Sequence, residues 1–218
     1  MEIKKAFTVL DLFRLRQKTA SLLMSTGETW TEAVAGTGVS SLAPAYMYLS
    51  TGAAAGGTAL RRAYTFGMGS PASVIRTFNF AKRVNIGFSV GVQVLNATSV
   101  RYVQLKAATT IGDLGAKGIG IKIANATLYG ESFGSARGEV ELMTLESTKE
   151  YRIEIQHDPV SGIIAWYVNG VLKGVQTTAA NIPTAAEALT NLLCSVDNGA
   201  TAAEVIMFVS PIEFLMEV

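Results

Sequence analysis

YRIEIQHDPVSGIIAWYVNGVLKGVQ, residues 151–176, folds back on itself twice when read by the period of its apolar side chains. Tyr151, Ile153 and Ile155 alternate with Arg152, Glu154 and Gln156, and a period of two puts the two sets on opposite faces of a strand. His157-Asp158-Pro159-Val160-Ser161-Gly162 follows, with Asp before Pro and a closing Gly. Those residues stop a strand and reverse it, so His157 is expected on the surface of a turn. Ile164, Trp166 and Val168 mark the inward face of the returning strand and leave Tyr167 on the other side. Asn169-Gly170 supplies the two positive φ angles of a type I′ turn, and Val171–Val175 completes a three-stranded meander with one apolar face.

The rhythm extends from Trp30 onward, where short apolar runs alternate with clusters of Gly, Ser, Thr and Asn. Strands are expected near 45–50, 59–66, 74–80, 84–95, 99–107, 118–125, 137–146, 150–157, 163–169, 171–177, 190–196 and 203–216. So many strands make two sheets, and the fold class is all-β, a two-sheet antiparallel sandwich. A single helical turn at Thr184–Leu189, after Pro183, is the one helical competitor in this region. Residues 1–23 form an N-terminal arm or extension ahead of a domain at 24–218. Phe7, Leu10 and Phe13 have helical spacing while Arg14, Arg16 and Lys18 alternate with other residues, so the segment reads as a helix or an arm. It either docks on a neighbouring subunit or packs on its own domain.

A length of 218 residues suits one large β domain. Hydrophobic residues make up 49% and charged residues 16%, so the chain is not disordered. Lys and Arg number 18 against 17 Asp and Glu, a net charge of +1 that offers no electrostatic grip on nucleic acid or an anionic membrane. Weak self-repulsion favours self-association. No run of about 18 apolar residues is free of charges or breaks, so no membrane-spanning helix is expected. Met1-Glu2-Ile3-Lys4-Lys5 has signal-peptide charges, but Asp11, Arg14 and Arg16 interrupt the apolar stretch, and no signal peptide is expected. Cys194 is alone, lies in the apolar run 192–196 and reads as a small buried hydrophobe.

The run Tyr151–Ile155, then Asp158-Pro159 and Gly162, then Trp166–Leu172 resembles the three-strand signature of the concanavalin A-like lectin/glucanase and laminin G-like jelly-roll superfamily. Tyr48–Gly52 with Gly56–Arg61 resembles the opening strands of such domains, and Leu192–Phe208 the closing pair. Within the superfamily the chain is most similar to β-sandwich modules of bacteriophage and other viral structural proteins. The resemblance covers about 24–218. It implies a non-enzymatic structural or display protein of a virion, a capsid, decoration or fibre subunit assembled in the host cytoplasm, whose partners are copies of itself or other virion proteins. A carbohydrate-binding adhesion module is the alternative, and a glycoside hydrolase a further one.

Polysaccharide-cleaving members of that superfamily carry Glu-x-Asp-x-Glu on one strand. Glu139-Val140-Glu141 with Glu146, and Glu154 with Asp158, do not reproduce three carboxylates at alternate positions, and no catalytic residue is assigned. Glu139 and Glu141 read as the solvent face of a strand whose inward set includes Val140 and Leu142. With His157 as the one histidine, a histidine metal cluster is excluded, and a Ser-His-Asp triad would have to use it beside Asp158, although residues adjacent in sequence rarely orient each other as base and orienter. Gly115–Gly120 lacks the Gly-Lys-Ser/Thr ending of a phosphate loop and reads as a turn. No cofactor is expected, although the resemblance brings in a structural calcium, for which Asp113, Asp158, Asp197 and Asn198 are loop candidates unless they simply form turns. Glycan binding needs an aromatic platform with polar groups at its edge. Trp30, Tyr129, Phe133 and Tyr167 are the candidates, Tyr167 as the better exposed ring, the other reading being that these rings close the second face of a sheet.

Overall fold

A computed structural model describes residues 30–43, 46–64, 78–93, 95, 97–107, 110–184, 186–187 and 191–216. The strands are β1 (Trp30–Ala35), β2 (Val39–Ala43), β3 (Tyr46–Ser50), β4 (Thr58–Tyr64), β5 (Phe78–Asn79), β6 (Val84–Gln93), β7 (Val100–Lys106), β8 (Gly118–Ala124) and β9 (Thr127–Phe133). They continue with β10 (Arg137–Thr144), β11 (Glu150–Asp158), β12 (Ile163–Val168), β13 (Val171–Gln176), β14 (Ala186–Glu187), β15 (Asn191–Asp197), β16 (Ile206–Val209) and β17 (Glu213–Met216). One sheet runs β1-β4-β15-β7-β8-β9-β10, and the other β13-β12-β11-β6-β16-β3-β2 with β17 also on β6. Neighbours pair antiparallel, and the two sheets face each other as a jelly-roll-like β-sandwich.

Alternation puts the core between the sheets. Val103 and Leu105 of β7, Ile119, Ile121 and Ile123 of β8, and Cys194 and Val196 of β15 come from one sheet. Val84 to Val92 at every second position of β6, Ile153 and Ile155 of β11, and Ile164, Trp166 and Val168 of β12 come from the other. Each large apolar side chain buried this way contributes about 1.5–3 kcal/mol before the entropy of ordering it. The Trp166 indole N–H donates to the Gly120 carbonyl at 3.0 Å and so ties the two sheets together.

The meander forms as its sequence indicates, with Asn169 at φ +51 and Gly170 at φ +77 in the turn. Arg152 N–H donates to Asn169 Oδ1, and Asn169 N–H to the Arg152 carbonyl, both at 2.8 Å, which fixes the hairpin against β11. His157 is a correction. It is a β11 residue with 0% exposure, Nε2 donates to the Pro183 carbonyl at 2.8 Å, and the Phe80 ring meets it edge-on at 5.8 Å. Strand pairing persists through Asp158, and the reversal begins one residue before Val160.

The strand expected at 203–216 is two strands. Pro211 has no N–H for the ladder, so the chain breaks at residues 210–212 and both pieces pair with β6. Strands β1, β2 and β9 add to those expected, and residues 186–187 pair with β5 where a helical turn was anticipated. Residues 1–29, with the N-terminal arm, lie outside the described set, as do 65–77, which hold the start of the strand expected at 74–80. Among the described residues no helix is long and apolar enough to cross a membrane.

Candidate functional site

The outer side of β6 reads Asn85, Gly87, Ser89, Gly91 and Gln93, so the centre of that sheet face carries almost no side-chain bulk. Its cross-strand neighbours differ sharply. Gly91 stands in register with Phe208 of β16 on one side and with Glu150 of β11 on the other, and Phe208 in turn with Tyr48 of β3. The row Tyr48–Phe208–Gly91–Glu150 therefore passes from two rings, over a bare floor, to a carboxylate.

Phe208 is gripped on two sides: its ring lies 5.7 Å from Tyr46 at 70° and 5.4 Å from Tyr48 at 56°. Tyr46 remains 44% exposed and leaves part of its ring open to solvent beside the depression. A Cβ on Gly91 would meet only ordinary van der Waals contacts, 3.8 Å from the Lys149 carbonyl and 3.9 Å from Phe208 Cβ. Packing does not demand glycine there. Its absence of a side chain leaves a groove of about 410 Å³ lined by Tyr46, Ser89, Gly91, Val92, Gln93, Thr148, Lys149, Glu150, Phe208 and Ser210. At Gly87, farther along the same strand, Arg152 already covers the backbone and pairs with Glu213 at 2.9 Å.

The wall opposite the rings is the turn from β10 to β11. Thr148 sits at φ +67, which a β-branched residue adopts only at a cost. Its N–H donates to the Val92 carbonyl at 2.9 Å, Glu146 N–H donates to the Tyr151 hydroxyl at 2.9 Å, and Lys149 pairs with Glu146 at 2.7 Å. At the floor's margin Ser210 N–H donates to the Ser89 carbonyl, and Ser89 N–H to Ser210 Oγ. One wall is thus aromatic, the other polar and pinned, and the floor is backbone.

The aromatic residues predicted from sequence do not assemble. Tyr129 and Phe133 lie on the outer face of β9, in the other sheet, and are half-buried. Tyr167 does face outward on β12, between Glu154 and Leu172, but is 6% exposed and is not an open platform. Trp30 opens β1, and its side chain is outside the described set.

The calcium candidates are likewise dispersed and occupied. Asp158 accepts Val160 N–H at 3.0 Å, Ser161 N–H at 3.2 Å and Ser161 Oγ–H at 2.7 Å, and pairs with Arg83 at 3.3 Å. Burial alone would raise its carboxyl, but the Ser161 hydrogen bonds and Arg83 outweigh burial and hold it below the usual aspartate range. Asp197 accepts Gly199 N–H at 2.7 Å, and Asn198 Nδ2 donates to the carbonyls of Ala54 and Ala203. Both hold turns.

Asp113 joins a group the sequence did not disclose. Carboxylate oxygens of Asp113, Glu131 and Glu139 lie within 4.8 Å of one another, and Lys122 and Arg137 sit among them. Lys122 pairs with Asp113 and Glu139, both at 3.0 Å, and Arg137 reaches Asp113 at 2.7 Å, Glu131 at 3.1 Å and Glu139. Glu131, fully buried, accepts Leu114 N–H at 3.0 Å and Gln104 Nε2–H at 2.6 Å, which holds the β7–β8 loop on the sheet. Burial keeps its carboxyl above the usual glutamate range despite those donors. Two cations fill the place a metal ion would take. Glu139 and Glu141 face outward on β10 as expected. Cys194 is fully buried, and desolvation pushes its thiol up to about 12.

No protein-family model matches the chain, and no curated protein matches it in sequence. Solved structures share its fold. A sialidase matches with a TM-score of 0.60 at 13% identity over 88% of this chain and 18% of its own. The binding domain of botulinum neurotoxin DC in complex with SialylT matches with a TM-score of 0.54 at 12% identity, over 89% of this chain and 47% of that one. A protein of unknown function from Shewanella oneidensis MR-1 matches along nearly its whole length, 100% of this chain and 97% of that one, with a TM-score of 0.60 and 14% identity. The chain thus spans under a fifth of the sialidase and about half of the neurotoxin domain, and what it shares with all three is the two-sheet β-sandwich.

Proposed function

We propose that this chain is a non-enzymatic glycan-binding module that takes a sugar in the groove over Gly91. One observation carries the reading: the Tyr46–Phe208 wall faces a polar wall, Thr148–Glu150, across a floor without side chains. Sugars present apolar C–H faces that pack on rings and hydroxyls that need paired donors and acceptors, and the two walls divide those tasks. Ser89, Gln93, Thr148, Glu150 and Ser210 supply hydroxyl, amide and carboxylate partners around the rim. Likeness of fold to a neurotoxin binding domain in complex with SialylT supports a carbohydrate ligand in general and not a sialylated one in particular. The virion display role implied by the sequence resemblance gains no support from the groove or from these neighbours.

A glycan array probed with the full chain tests the reading. Saturable binding to at least one oligosaccharide is expected, and Phe208→Ala should weaken it about tenfold or more by removing the ring from the wall. Binding that survives Phe208→Ala together with Tyr46→Ala would place the site elsewhere.

A further inference from the structure

Resting on the glycan reading, we infer that the groove selects neutral sugars and discriminates against sialylated or sulfated ones. The charges lining it are Lys149 and Glu150. Lys149 is matched in charge at 2.7 Å by Glu146, so the pair adds no net positive charge to the rim. The next cation along this face, Arg152, is matched at 2.9 Å by Glu213. Glu150 and Glu154 are the other charged residues of the outer face of β11 on the groove side of Asp158, which is itself matched by Arg83 at 3.3 Å, and among the described residues neither glutamate has a cation within ion-pair distance. Glu154 instead accepts a hydrogen bond from the Asn85 amide at 3.2 Å. Among the described residues around the groove and beside it, the carboxylates of Glu146, Glu150, Glu154 and Glu213 therefore outnumber the cations Lys149 and Arg152.

The position of Glu150 gives that excess an effect on a bound ligand. It stands in register with Gly91, beside the bare floor and across from Phe208. A carboxylate there is a pure acceptor that serves two neighbouring sugar hydroxyls. The same carboxylate repels a carboxylate or sulfate carried by the ligand, by about 1 kcal/mol for charges some 4 Å apart in water and more where water is excluded.

The test is an array in which each neutral oligosaccharide is paired with its sialylated or sulfated form on the same core. The neutral member is expected to bind about five- to tenfold tighter, with the gap narrowing as salt is raised from 0.05 to 0.5 M. Glu150→Gln should shrink the ratio, and Glu150→Lys should reverse it. An acidic member that binds equally or more tightly, or a ratio unmoved in both Glu150 variants, overturns the inference and leaves the glycan reading standing. Failure of every sugar on the array to bind removes the reading beneath it as well.

Discussion

The indole of Trp166 occupies the space that a side chain at residue 130 would need: a Cβ on Gly130 would come within 2.4 Å of ring atom Cδ2. Gly130 lies mid-strand in β9, opposite Ile121 and Val140 of the neighbouring strands, where a Cβ would otherwise favour the pleat. The glycine is there for the opposing sheet. Gly130→Ala is expected to destabilise the fold by about 1–3 kcal/mol through overpacking, read from urea unfolding. Combining it with Trp166→Phe should recover part of that loss, and strict additivity would show that the two residues do not meet.

His157 gives a stability signal of its own, because the chain has one histidine. Burial holds its ring below the ordinary histidine range despite the Pro183 hydrogen bond. A lowered pKa means that the unfolded chain takes up the proton first, so the contribution is present above about pH 6.5 and is lost as pH falls through it. Unfolding free energy should fall from pH 7 to 5 with a slope approaching 1.4 kcal/mol per pH unit. His157→Gln should flatten that window while leaving the carboxylate losses near pH 4, and an unchanged slope would reassign the proton.

Lys122 and Arg137 fill the three-carboxylate group of Asp113, Glu131 and Glu139. Millimolar calcium is therefore expected to leave the thermal midpoint where it is. Lys122→Met with Arg137→Met should lower stability and, by leaving the carboxylates unmatched, make the midpoint rise on calcium addition. A calcium-dependent rise in the unsubstituted chain would mean that the ion displaces the two side chains.

Thr148 holds a left-handed backbone that glycine adopts freely. Thr148→Gly is expected to raise the unfolding free energy by about 1 kcal/mol and to lower sugar affinity, because the same residue forms part of the polar wall. A variant that loses stability would indicate that the Thr148 side chain matters more to the fold than its strain.

The sandwich was legible where alternation is strict. Tyr151–Gln176 announced both turns and the core position of Trp166, because period-two patterning and Asn-Gly chemistry are local. Strand β9 escaped notice since Gly130 and Glu131 interrupt its apolar pattern, one to admit an indole and the other to anchor a loop. His157 was misplaced because Asp-Pro suggested an earlier turn. Tyr167 was assigned to the correct face, but orientation along a strand does not report what covers that face. The groove was not legible. Tyr46 and Phe208 are far apart in the chain and meet only through the pairing of β3 with β16, and the one local signal, Gly87, Ser89 and Gly91 at alternate positions of β6, reads equally as turn-forming composition.

The central claim is a location, and amide chemical-shift mapping of the ¹⁵N-labelled chain tests it most directly. Titration with an oligosaccharide found on the array should shift the amides of Gly91, Gln93, Thr148 and Lys149 together and along one binding isotherm. Shifts confined to Lys122, Tyr129 and Phe133 on the opposite sheet, with Gly91 and Thr148 unmoved, would contradict the account.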